Sequence, residues 1–314
     1  MWEIIGHEAT LSALDRLAAA ERLAHAYLLV GPVSVGKTTV ATWLAARLLC
    51  TQASGVRRQR SVAPCGTCDA CGAVARGVHP DVLRLMGEDV RTVDRVREWT
   101  SSLARSSLFA GWKIGIVEGA EQMNEASANA CLKSIEEPTP KTVILLTAPN
   151  RRAVLPTIAS RCALMTCHRV RAATLTHALQ DRGVHDPDAE AITVIADGCP
   201  GTALRLVGQP EQRAAQEQRR ALAHEMLSGT SRARLQHVES FVRALPDDRN
   251  AMVEQSMELV RGFRAIAQTM TGECRARADW VRWQQLLVRA PQYLAANVTP
   301  RLLLETVVLT HPTV

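Results

Sequence analysis

The segment Gly31-Pro32-Val33-Ser34-Val35-Gly36-Lys37-Thr38 constrains the fold more than any other part of the chain. It satisfies G-x-x-x-x-G-K-[ST] at every fixed position. Such a loop works only where an apolar strand enters it and a helix leaves it. Phosphate is held there by loop N–H groups and by the positive end of the helix. Both flanks are present: Ala26-Tyr27-Leu28-Leu29-Val30 reads as a buried parallel strand, and Thr38 to Leu49 reads as the helix. A working loop of this kind places Lys37 on the outer phosphates and the Thr38 hydroxyl on Mg²⁺. The expected ligand is therefore ATP or ADP with Mg²⁺, held by Gly31, Gly36, Lys37, Thr38 and Thr39. The same segment also reads as a packed turn with no nucleotide in it.

Four further strands are expected, at Asp81–Leu85, Lys113–Glu118, Thr142–Ala148 and Ala163–Cys167. Helices are expected at 8–22, at Val93–Leu103 and at Glu125–Glu136, the last stopped by Pro138. Strands alternating with helices predict a five-stranded parallel sheet covered on both faces. From about residue 170 the strand signals vanish. Residues 174–207 read as a small helical unit, and 211–312 read as helical throughout. There Met252, Val253, Met257, Val260, Phe263, Ile266 and Met270 form an apolar stripe at helical spacing. The stripe reads as a core face or, alternatively, as a packing face for a neighbouring subunit. The fold class is α/β plus all-α.

The strand Lys113-Ile114-Gly115-Ile116-Val117-Glu118-Gly119 departs from what ATP hydrolysis requires. A working site needs a metal-holding acid followed by a water-activating acid. This chain offers Glu118 and then Gly119, and a glycine cannot polarise a water.

Cys50, Cys65, Cys68 and Cys71 follow the spacing C-x14-C-x2-C-x2-C. Each x2 step lets two thiolates reach one ion from a tight turn, and four complete a tetrahedral Zn²⁺ shell. A closed four-thiolate shell leaves no position for water, so the expected role is structural. The alternative is a cluster of free thiols. Cys131, Cys162, Cys167, Cys199 and Cys274 are scattered, and each reads as a small buried apolar residue.

At 314 residues the chain is expected to form two or three domains. No apolar run approaches the roughly 18 residues of a membrane span. No secretory signal is visible, so a cytoplasmic location is expected. The net charge of +6 gives a mildly positive surface able to attract nucleic acid. It is carried by arginine, because the lysines number four: Lys37, Lys113, Lys133 and Lys141. Six Trp, two Tyr and three Phe do not alternate with basic residues, so no single-strand stacking motif is encoded. Residues 55–60, with Arg57-Arg58-Gln59-Arg60, read as part of an exposed basic loop.

A P-loop helix running into a four-cysteine insert resembles the bacterial DNA polymerase III clamp-loader subunits of the AAA+ class. Four other stretches carry the same resemblance. They are His25–Pro32 leading into the loop, Asn129-Ala130-Cys131-Leu132-Lys133-Ser134-Ile135-Glu136-Glu137-Pro138, Ser160-Arg161-Cys162, and Gly198-Cys199-Pro200-Gly201-Thr202-Ala203-Leu204. The resemblance implies a P-loop domain at 1–168 with a zinc module at 50–71, a helical lid at 169–208 and a helical collar at 209–314. Two branches of that family fit, the ATP-hydrolysing gamma/tau form and the delta-prime form. Gly119 stands where the hydrolysing form has its second acid. Gly201 or Thr202 stands where it has a lid arginine. Both departures point to the delta-prime branch, a stator with little or no ATPase of its own.

The resemblance further implies that Arg161 acts in trans, as an arginine finger on the ATP of a neighbouring subunit. Glu118 would remain able to hold Mg²⁺, and Thr147 would lie near the γ-phosphate. The implied partners are the gamma/tau and delta subunits in a hetero-oligomer, with the sliding clamp and primer–template DNA reached through the complex. The first alternative is a gamma/tau-like ATPase in which Glu118 or Glu121 replaces the usual acid. A zinc-bearing P-loop protein of another class is the second.

Overall fold

A computed structural model describes residues 4–52, 64–108, 111–269 and 278–312. The basic stretch 55–60, Met270 and Cys274 lie outside the described residues. By contacts the chain divides into two units, Met1–Gly183 with Gly198–Thr202, and Val184–Asp197 with Ala203–Val314.

The first unit begins with helix α1 (Glu8–Ala19), strand β1 (Ala26–Val30) and helix α2 (Lys37–Leu49). Helix α1 stops short of the expected residue 22 because Glu21 takes a left-handed φ of 54°. Helix α3 (Asp69–Ala75), strand β2 (Val82–Leu85) and helix α4 (Val93–Ala104) follow. Then come β3 (Lys113–Glu118), α5 (Glu125–Glu136), β4 (Thr142–Ala148), the one-turn α6 (Pro156–Ala159), β5 (Ala163–Thr166) and α7 (Ala172–Gln180). The five strands form one parallel sheet in the order β2-β3-β4-β1-β5.

Side-chain alternation along the strands builds a core on each face. Ala26, Leu28 and Val30 of β1 join Ile144 and Leu146 of β4 against Val96, Trp99 and Leu103 of α4 and Ala128 and Ile135 of α5. Tyr27 and Leu29 join Val143 and Leu145 against Leu14 of α1, Val40 and Leu44 of α2, and Val74 of α3. The Arg47–Asp15 ion pair, 2.6 Å long, ties α2 to α1. Lys113 is buried at the start of β3, where its ammonium donates to the Arg105 carbonyl at 2.9 Å.

In the second unit the described elements are all helical: α8 (Asp186–Ala196), α10 (Pro210–Leu227), α11 (Ser231–Arg243), α12 (Arg249–Thr269), α13 (Ala278–Ala295) and α14 (Pro300–Leu309). Between α8 and α10 in the chain lies α9 (Pro200–Gly208). Val260 and Phe263 of the apolar stripe sit in a core with Met226 of α10, Val238 of α11, Trp283 of α13 and Val307 of α14. Val253, Met257 and Ile266 pack partly buried against it. The stripe is thus largely an internal face. The fully buried Phe263 makes this testable. Phe263→Ala should cost about 3–5 kcal/mol in denaturant unfolding of the isolated chain. A stripe reserved for a partner would leave the isolated chain almost unaffected.

Candidate phosphate, metal and arginine sites

The phosphate loop leaves the C-terminal end of β1, a strand paired on both sides, to β4 and to β5. Gly31 N–H donates to the Ala148 carbonyl at 3.2 Å, and Cys167 N–H donates to the Val30 carbonyl at 2.7 Å. The chain is so tightly held here that a Cβ at Gly31 would collide with the Cys167 carbonyl oxygen. Gly36, with φ of 111°, turns the chain into α2. Further round the loop, His7 Nε2 lies 2.8 Å from the Val35 carbonyl oxygen, and Gly201 N–H donates to the Ser34 carbonyl at 2.9 Å.

Lys37 folds back into this loop. Its ammonium donates to the Gly31 and Pro32 carbonyls, each at 2.8 Å. Burial pushes the Lys37 pKa below its usual value, and the nearby Cys167, Glu121 and Cys199 oppose that shift. Thr38, in the first turn of α2, donates to Glu118 Oε2 at 3.3 Å. Thr39 is exposed on the same turn. The loop, Lys37, Thr38 and Glu118 therefore converge, although residues 38 and 118 are far apart in the chain.

Glu118 has a second partner that no motif indicated. Arg84, on β2, places NH1 at 3.3 Å from Glu118 Oε1 and donates through NH2 to Thr42 Oγ1 at 2.9 Å. Thr42 in turn donates to the Thr38 carbonyl at 2.8 Å. Beyond Glu118 the chain takes a left-handed turn at Gly119, with φ of 83°. Thr147 stands opposite Glu118 in the sheet register, and its hydroxyl accepts the Gly119 N–H at 3.2 Å.

Arg161 follows α6 and is exposed. It pairs with Glu136 at the end of α5 and donates to the Thr157 carbonyl at 2.9 Å. A cleft of about 540 Å³ opens at the C-terminal ends of β1, β4 and β5, with Gly31, Asn150, Arg151, His168 and Arg169 on its walls. No spacing rule singled out Asn150, Arg151, His168 or Arg169.

The cysteines form a separate site. The sulfur atoms of Cys50, Cys65, Cys68 and Cys71 all lie within 4.8 Å of one another, and those of Cys65 and Cys71 are 3.9 Å apart. Thiolates at zinc–sulfur distance in a tetrahedron stand about 3.8 Å apart, so four cysteines in this arrangement can hold one ion. Cys50 is supplied by the end of α2. Cys68 caps α3 by accepting the Cys71 N–H at 3.5 Å. Among the scattered cysteines, Cys131, Cys167 and Cys199 are buried and Cys162 is half-buried. Burial pushes the Cys162 thiol up to about 11, so it is inert as a nucleophile near neutral pH.

The family model and the relatives by sequence point to one group. A model of the family described as DNA polymerase III, delta subunit, matches residues 6–171. The chain is similar to the DNA polymerase III subunit delta' of Pseudomonas aeruginosa, with 40% identity over 208 residues, 64% of this chain and 61% of that protein. It is similar to the subunit delta' of Haemophilus influenzae, with 37% identity over 141 residues, 44% of this chain and 41% of that one. The subunit tau of Escherichia coli is 27% identical over 292 residues, 91% of this chain and 42% of tau. These matches span between 41% and 61% of the relatives' lengths.

The close approach at Gly31 makes the loop a structural element whether or not it holds phosphate. Gly31→Ala should lower stability by about 1–3 kcal/mol, the usual cost of overpacking. Denaturant unfolding without nucleotide measures it. An unchanged midpoint would mean that the β1–β5 approach is looser than described.

Proposed function

Because the chain belongs to the family of DNA polymerase III delta subunits, with delta' proteins among its relatives, we propose that it is the delta-prime stator of a clamp loader. In this reading it joins gamma/tau and delta subunits in a hetero-oligomer. The complex loads a sliding clamp onto primed DNA during replication, and this subunit hydrolyses little or no ATP itself. Residues 1–168 form the P-loop domain, 169–208 the lid and 209–314 the collar.

The observation that carries the reading is the end of β3. Glu118 is followed by Gly119, whose left-handed backbone and lack of side chain leave no acid at the position next to Glu118 where a water-activating acid would stand. At Gly201, one of the two positions, with Thr202, where the resemblance would put a lid arginine, the backbone packs on the loop. A Cβ there would come within 3.0 Å of the Ser34 carbonyl oxygen. Gly31, Gly36, Lys37, Thr38 and Thr39 are proposed to hold nucleotide phosphate, and Thr147 steadies Gly119 beside them. Cys50, Cys65, Cys68 and Cys71 are proposed to hold structural Zn²⁺. Among the described residues no helix is long and apolar enough to cross a membrane.

Arg161 is the proposed chemical contribution. Its guanidinium would lie against the γ-phosphate of the next subunit's ATP and neutralise charge that develops as the phosphoryl group leaves. The isolated chain should show almost no ATP turnover. In the assembled complex Arg161→Ala should lower turnover by about 10³-fold or more, as expected for an arginine finger. Full activity of the substituted complex would remove Arg161 from the mechanism. Metal analysis of the purified chain should find about one equivalent of Zn²⁺, lost in Cys68→Ser together with stability. Less than about half an equivalent contradicts a structural zinc site.

A further inference from the structure

The divalent-ion position of the P-loop site does not fit a divalent ion. An ion there would need the Thr38 hydroxyl oxygen and a Glu118 carboxylate oxygen as ligands. Mg²⁺ also demands a near-ideal octahedron of oxygens at about 2.0–2.1 Å. Thr38 instead directs its hydroxyl proton at one Glu118 oxygen, and the Arg84 guanidinium holds the other. Arg84 does not sit there loosely. Its second nitrogen is bonded to Thr42, which is anchored on the Thr38 carbonyl one turn back along α2. The Arg84 and Glu118 side chains are only 21% and 27% exposed, so solvent screens the pair incompletely. A divalent ion would have to displace a bonded cation from its carboxylate and then stay beside it against like-charge repulsion.

We propose that Arg84 is a built-in substitute for the metal, so that this loop takes nucleotide phosphate without a divalent ion. The guanidinium is planar and permanently charged, and its remaining donor capacity suits phosphate oxygens. The nucleotide would be held by the loop N–H groups, Lys37 and Arg84, as metal-free ADP or ATP. This inference rests on the reading of Gly31–Thr38 as a phosphate holder. It adds a consequence that reading does not contain: affinity is indifferent to Mg²⁺. It also supplies a second reason for low hydrolysis, because phosphoryl transfer in P-loop sites relies on an ion bridging the outer phosphates.

The test is calorimetric titration of the full chain with ADP and with ATP, in excess EDTA and in excess Mg²⁺. The wild-type affinity should differ by less than about threefold between the two buffers. Arg84→Ala should bind more weakly in EDTA and regain affinity with Mg²⁺ by about tenfold or more, because Glu118 is then free to ligate. Arg84→Lys, which keeps the charge, should remain indifferent to Mg²⁺. Thermal unfolding of each variant shows whether it folds, and the wild-type comparison decides the matter even if a variant does not. A wild-type chain that loses about tenfold or more in affinity when EDTA replaces Mg²⁺ overturns the proposal and leaves nucleotide binding standing. So does an Arg84→Ala chain as indifferent as the wild type. No binding in either buffer overturns both the proposal and the phosphate-holding loop, while the roles of Arg161 and the cysteines stay separately testable.

Discussion

The buried strand β1 is the constraint on which the first unit depends. All five of its residues are withdrawn from water. It is hydrogen-bonded on both sides, to β4 and to β5. A strand so placed must be apolar on both faces, and Ala26-Tyr27-Leu28-Leu29-Val30 is. Its end cannot move without breaking two ladders, so the loop that follows starts from a fixed point. The Gly31 amide on Ala148 and the Cys167 amide on Val30 continue those ladders into the loop. The register of β3 against β4 then puts Glu118 beside Thr147, and the packing of α2 on the sheet brings Thr38 to the same place.

Much of this was legible in the sequence because it rests on local patterns. The P-loop spacing, the apolar runs and the Pro stop after Glu136 located β1, β3, β4 and α5 to the residue. The cysteine spacing drew together four residues whose sulfurs do cluster. Helix α3 was not legible. It has only seven residues, includes a glycine, and starts on a cap made by the Cys68 sulfur, so propensity and periodicity carry little signal there. Arg84 was invisible for a different reason. In Val82-Leu83-Arg84-Leu85 it looks like an ordinary solvated position of a short strand. Its partners Glu118 and Thr42 lie 34 and 42 residues away and meet it only because β2 adds to the outer edge of β3. The sequence showed an acid that could hold a metal, and the fold supplies the cation that competes for it.

The two arginines with functional proposals differ in how firmly they are held. Arg84 is wedged between strand and helix, with a partner on each side. Arg161 is exposed, bonded to Glu136 and to the Thr157 carbonyl at the end of its own short helix. Exposed ion pairs contribute about 0–1 kcal/mol, so little is lost when such a guanidinium trades a carboxylate for a more highly charged phosphate. Displacing Arg84 would strand a half-buried carboxylate. Side chains of one type can thus serve as a fixed counter-charge and as a transferable one, according to burial alone.

Two of the four lysines spend their ammonium groups on backbone carbonyls, Lys37 in the loop and Lys113 at the start of β3. Lys133 and Lys141 are exposed. The positive charge this chain offers to its surroundings is therefore almost wholly guanidinium, which does not deprotonate in proteins. Its attraction for phosphate-bearing partners should weaken with salt yet stay constant through the alkaline range, where an amine-rich surface would lose charge. Amine-directed reagents would accordingly leave most of that charge untouched and mark two lysines flanking the turn between α5 and β4.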